Sequence, residues 1–213
     1  MPPIRSLAAL ATLLLAGACA HTGEIDQTGG ITAVRSACPG VGVPAGTGDV
    51  TLFDPAGQRT ADAIDVAAIM TDVRSTCDDS GPQIVTNVTF RVDARRRDAS
   101  APRDVTLPFF ITVVQGGNAV VAKRISRVGL HFDAGQARAS TTGQASATVD
   151  RAAATLPADV RRRLTERRKA GDEDAAIDPL TRPEIRQAVL RATFEALVGF
   201  QLTEDQLRYN ATR

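Results

Sequence analysis

From Asp49 onward the apolar residues recur mostly at every second position, the period of a strand with one buried face. Asp49–Phe53 is a short run closed by Asp54-Pro55-Ala56-Gly57, a turn tetrad in which proline presets φ. Between Ala63 and Arg74, Ile64, Val66, Ala68 and Met70 fall on one side and Asp65, Ala67, Ile69 and Thr71 on the other. Cys77 and Asp78-Asp79-Ser80-Gly81 end that run. Ile84–Arg95 is the cleanest alternation, with Ile84, Thr86, Val88, Phe90 and Val92 facing one way, and it predicts a half-buried antiparallel strand. Arg95–Asp104 reads as a charged loop. Val105–Gln115 is more uniformly apolar, which predicts cover on both faces, and Pro108 marks a bulge or an edge. Gly116-Gly117-Asn118 is a tight hairpin signal, with Ala119–Phe132 as the returning strand and Thr142–Asp150 as a weaker one. The two-residue period resumes at Ala192 and runs to Leu202 as the last strand, although Pro183–Leu197 also reads as one longer helix.

The character changes at Leu156. Pro157-Ala158-Asp159 opens a helical, strongly basic run containing Arg161, Arg162, Arg163, Arg167, Arg168 and Lys169, stopped by Gly171 and followed by Asp172, Glu173 and Asp174. Thr181-Arg182-Pro183-Glu184 starts a second short helix with proline in its first turn. Thr203-Glu204-Asp205-Gln206 matches a capping box, so a short C-terminal helix runs to about Asn210. The predicted fold is therefore mainly β. It is an immunoglobulin-like antiparallel β-sandwich with a charged helical insertion over about 157–185 and a short C-terminal helix.

The N-terminus does not belong to that body. Arg5 and the amino terminus precede an apolar stretch, Leu7–Leu15, far short of the roughly 20 apolar residues of a bilayer span. Leu15-Ala16-Gly17-Ala18-Cys19 then reads as a lipobox. This predicts a signal peptide over 1–18, lipidation of Cys19, a flexible tether over 19–37 and a single folded domain over 38–213. The alternative is ordinary cleavage after Ala18 that leaves Cys19 free. Each buried CH₂ contributes about 0.8 kcal/mol, so two or three acyl chains anchor stably. Ala20 stands where an Asp holds similar lipoproteins in the inner membrane, which points to the outer membrane. With Cys19 set aside, Cys38 and Cys77 remain, and an even pair in an exported chain predicts a disulfide rather than two reduced thiols.

Cys38-Pro39, Leu52-Phe53, Cys77, Phe109-Phe110-Ile111-Thr112-Val113-Val114, Lys123, Gly199-Phe200-Gln201-Leu202-Thr203, Gln206-Leu207 and Tyr209-Asn210 carry a family resemblance. The chain resembles a group of small outer-membrane lipoproteins of alphaproteobacteria over about residues 38–210. It departs from them between Leu156 and Ile185, which is longer and more charged here. The resemblance implies an envelope compartment and a single-domain build, and it carries over no catalytic residue.

Composition narrows the function further. Aromatic residues make up 4% of the 213 and there is no Trp, which disfavours a stacking platform for sugars or cofactors. A net charge of +1 gives no general pull toward nucleic acid. Of the two histidines, His21 lies in the tether and His131 in a strand, with no G-x-S-x-G elbow in the chain to accompany it. No zinc-ligand cluster is evident. Asp172, Asp174 and Asp178 are spaced like part of a calcium loop, but Ile177 and Pro183 stand where its Gly and Glu are needed. The basic run is the most distinctive surface feature, as a surface for an anionic envelope polymer or acidic partner, or as a solvated helix face. Arg95, Arg96 and Arg97 extend it if the fold brings them close. The sequence thus predicts a non-enzymatic accessory or interaction module, anchored by lipid to the outer membrane and facing the periplasm. It binds no nucleic acid and takes no cofactor beyond the covalent lipid. The alternative is a carrier of lipid or small molecules with a cavity between its sheets.

Overall fold

The computed structural model describes residues 36–166 and 177–212. Cys19, the tether through Arg35, and Arg167, Arg168 and Lys169 lie outside the described residues, as do Asp172 and Asp174. The strands are β1 (Gly40–Gly42), β2 (Asp49–Phe53), β3 (Ile64–Asp78), β4 (Gln83–Arg96), β5 (Arg103–Gln115), β6 (Ala119–Phe132), β7 (Arg138–Asp150) and β8 (Phe194–Phe200). The helices are α1 (Arg151–Ala154), α2 (Ala158–Thr165), α3 (Pro183–Arg191) and α4 (Glu204–Thr212).

The strands form two four-stranded sheets, β1-β8-β5-β6 and β2-β3-β4-β7. Every pairing is antiparallel except β1 on β8. The chain makes the β2-β3-β4 meander, crosses to the β5-β6 hairpin, returns to set β7 beside β4, and comes back after the helices as β8 beside β5. The arrangement is a sandwich of two sheets. Its strand order differs from the immunoglobulin order, in which the first, second, fifth and fourth strands share a sheet. Eight strands stand where seven are predicted, because β1 is three residues long and too short to show a period.

Burial follows the alternation. In β4, Ile84, Thr86, Val88, Phe90, Val92 and Ala94 are buried, and Arg96 continues the inward set. The predicted loop at Arg95 therefore begins two residues later. In β5 only Phe109–Val114 is covered on both faces; Thr106 and Pro108 are exposed. Pro108 is not on an edge strand, since β5 lies between β8 and β6. Pairing with β8 runs only as far as Phe109↔Phe200, so the missing N–H of Pro108 falls just past it.

Phe90 of β4 and Phe109 of β5 meet edge to face, centroids 5.0 Å apart, and join the sheets at the middle of the core. Gly143 of β7 leaves the space for Phe90: a Cβ at 143 would collide with its ring. A bidentate ion pair between Asp65 of β3 and Arg103 of β5, both oxygens at 2.7 Å, ties the sheets at their rim. The Arg103 guanidinium holds the Asp65 carboxyl below its ordinary pKa.

The helices are set by local signals. Asp150 caps α1 by accepting from the N–H of Ala152. In α2, Val160 and Leu164 face inward one turn apart and pack with Ile185, Ala188 and Val189 of α3 in a small cluster outside the main core. Pro183 opens α3 as predicted, and α3 ends before β8, so the single longer helix does not form. The capping box of α4 is made in both directions: Thr203 N–H donates to Gln206 Oε1 at 2.9 Å and Gln206 N–H to Thr203 Oγ1 at 3.3 Å. Asn210 then donates to the carbonyls of Gly46 and Asp49, and Tyr209 meets Phe53 edge to face. These contacts hold the C-terminal helix against β2.

Candidate functional site

Cys38 stands just before β1 and Cys77 near the end of β3, and the two form a disulfide, with a Cα–Cα distance of 6.2 Å. This bond links the segment leading into one sheet to the far end of a strand in the other.

The basic segment is divided. Arg161, Arg162 and Arg163 of α2 are exposed, with Arg162 opposite the inward Val160 and Leu164 and the other two flanking them. The three Arg residues before the β4-β5 loop do not act as one patch. Arg95 is exposed and paired directly across from Arg138 of β7. Arg96 is 6% exposed. Its guanidinium donates to four main-chain carbonyls, of Ala101 at 2.6 Å, Asp133 at 2.8 Å, Gln136 at 3.0 Å and Ala99 at 3.4 Å, and lies over the Phe132 ring. It is the hub that folds the β4-β5 and β6-β7 loops against each other, not a surface charge. The signal was present in the sequence, since Arg96 occupies the inward parity of β4.

His131 sits on an exposed position of β6 between two carboxylates. Its Nδ1 lies 2.6 Å from Asp104 and its Nε2 3.5 Å from Asp133. Its partners among the described residues are these two carboxylates, an acid–histidine–acid ladder. The hydrogen bond that Asp104 accepts from the ring, followed by its charge, raises the His131 pKa above its ordinary value of 6.5. Protonation is thus favoured by folding. The resulting small stabilisation is fully present below the unfolded pKa and is lost as pH rises through the higher folded one. An NMR titration should place the His131 midpoint above 6.5, and Asp104→Asn should bring it back down. An unchanged midpoint in the variant would dismiss the pairing. Among the described residues no group of three His, Cys, Asp or Glu is placed to hold a metal ion.

Concavities among the described residues include one on a sheet face and one between the sheets. One, of about 760 Å³, lies on the β2-β3-β4-β7 sheet and is lined by Ile69, Asp93, Arg95 and Arg138. There Arg91 and Thr71 both donate to Asp93. The other, about 570 Å³, opens between the sheets at the β6-β7 rim, over Val88, Phe109, Ile111 and Ala145, with Arg124, Ser126, Gln144 and Ser146 at its mouth. Behind it the space between the sheets is filled by Phe90, Phe132, Phe200, Ile84 and Leu107. Sequence reasoning did not find this cleft. The signal available was the loss of alternation in Ala119-Val120-Val121-Ala122-Lys123-Arg124-Ile125.

Fold and site together define a two-sheet β-sandwich, bridged by a disulfide, with concavities on one sheet and at the rim between the sheets. The chain matches no protein-family model, no curated protein and no solved structure. No helix among the described residues is long and apolar enough to cross a membrane.

Proposed function

We propose that this chain is a lipid-anchored envelope protein, a non-enzymatic interaction module held by Cys19 on the periplasmic side of the outer membrane. The observation that carries the reading is the Leu15–Cys19 lipobox directly after a short apolar run. The Cys38–Cys77 disulfide supports it, because such bonds persist in oxidising compartments and are rare in the cytosol. The His131 geometry supports a binding role over a hydrolytic one, since both ring nitrogens face carboxylates. The carrier reading draws support from the 570 Å³ cleft alone, because the middle of the sandwich is filled.

The test is metabolic labelling with palmitate, followed by membrane fractionation. The wild-type chain is expected to take up label, to sediment with the outer membrane and to begin at Cys19. Cys19→Ser is expected to lose the label and the membrane association together. A mature chain recovered from the cytosol and still beginning at Met1 overturns the proposal.

A further inference from the structure

Residues 119–127 of β6 are exposed on both faces, with Val120 63%, Val121 52% and Ile125 61% accessible. β6 is also the last strand of its sheet. The direction of its free main-chain groups follows from Pro108, which lies opposite Arg127. Proline has no N–H, and the Pro108 carbonyl accepts from Gln201 N–H at 2.9 Å, so the main-chain face of Pro108 is turned toward the β8 side. In an antiparallel ladder two opposed residues exchange both hydrogen bonds or neither. Arg127 therefore turns its N–H and C=O away from β5, and the two-residue period gives Ile125 and Lys123 the same direction. Among the described residues these main-chain donors and acceptors form a row without strand partners.

The side chains of the intervening residues turn the other way. Arg124 is opposite Ile111 and Ser126 opposite Phe109, and Ile111 and Phe109 both belong to the core between the sheets. Arg124 and Ser126 thus face the rim cleft. A strand laid along β6 would place every second side chain in that cleft, above Val88 and Ala145.

Charge selects the occupant. Lys123, Arg124 and Arg127 fall within five positions, and neither arginine makes an ion pair among the described residues. A second copy paired edge to edge would bring these cations together, and like charges across strands destabilise. An acidic strand meets no such opposition.

We propose that β6 binds an extended acidic segment of a partner protein by strand addition. The main chain pairs with Lys123, Ile125 and Arg127, apolar side chains enter the rim cleft beside Arg124 and Ser126, and the alternate carboxylates meet Lys123 and Arg127 on the opposite face. This rests on the interaction-module reading and gives it a place and a chemistry.

The experiment uses the purified full chain and two fluorescent nonapeptides, one alternating valine with aspartate and the other valine with lysine. The acidic peptide is expected to raise its anisotropy on binding and to slow amide exchange at Lys123, Ile125 and Arg127. Ile125→Pro removes one edge N–H without breaking a bond to β5, and should weaken binding about tenfold at unchanged Tm. Lys123→Glu and Arg127→Glu made together should shift preference to the basic peptide. Equal binding of both peptides, protection elsewhere, wild-type affinity in Ile125→Pro, or self-association in place of peptide binding each overturns the proposal. A labelled, membrane-bound chain that binds neither peptide would remove the docking edge alone. A cytosolic chain that binds the acidic one would remove the envelope reading alone.

Discussion

Replacing both Cys38 and Cys77 by serine is expected to lower the unfolding free energy by about 4 kcal/mol in the loop-entropy estimate for a loop of this size. The bond spans 39 residues of sequence, so the oxidised chain loses conformational freedom chiefly when unfolded. The closed loop holds β1, β2 and most of β3, and its ends lie in opposite sheets. Without the bond, β1 relies on a three-residue parallel pairing with β8. Urea unfolding of the double variant measures the loss. Reductant should produce the same shift in the wild type and none in the variant. A shift below about 1 kcal/mol would mean that the unfolded chain stays compact around this loop by other means.

Arg96→Ala is the second large effect, expected at about 3 kcal/mol. Four carbonyls from two loops converge on one guanidinium, and truncation leaves them to find other donors in a region that Arg96 itself packs. The contact with the Phe132 ring is lost as well. Arg96→Lys should recover little, because a single ammonium does not reproduce a planar fork of five donors. The control is Arg95→Ala, one residue away on the exposed side, expected within about 0.5 kcal/mol of wild type. Thermal or urea unfolding of the three variants separates them. Equal losses at 95 and 96 would refute the hub.

Much of the sandwich was legible because two-residue alternation reports burial directly. The inward set of β4 from Ile84 to Val92, the limits of β2 and β6, the start of α3 and the capping box of α4 were all read from the residues. Strand order was not legible. Alternation says which face of β8 is buried, and nothing in Phe194–Phe200 says that it lies beside β5 rather than next to its neighbours in sequence. The four-residue α1 was too short to leave a period. The inward Arg96 was misread for a different reason. A charge in the core position of a strand looks like the start of a loop until the carbonyls that surround it are known, and those come from residues up to 40 positions away. The rim cleft has the same character. It exists because β6 and β7 part in space, which no single segment records.

The cystine also fixes how the body would respond to force applied at its N-terminal end. A pull on the chain ahead of Ser36 reaches Cys38 before any strand, and the load divides there between the backbone leading to β1 and the sulfur bridge to β3. Peeling β1 away cannot lengthen the molecule, because the stretch between the two cysteines, 39 positions apart and about 130 Å of extended chain, is locked out of the extension. Tension passes instead to the long β3-β4 ladder, where many hydrogen bonds share it.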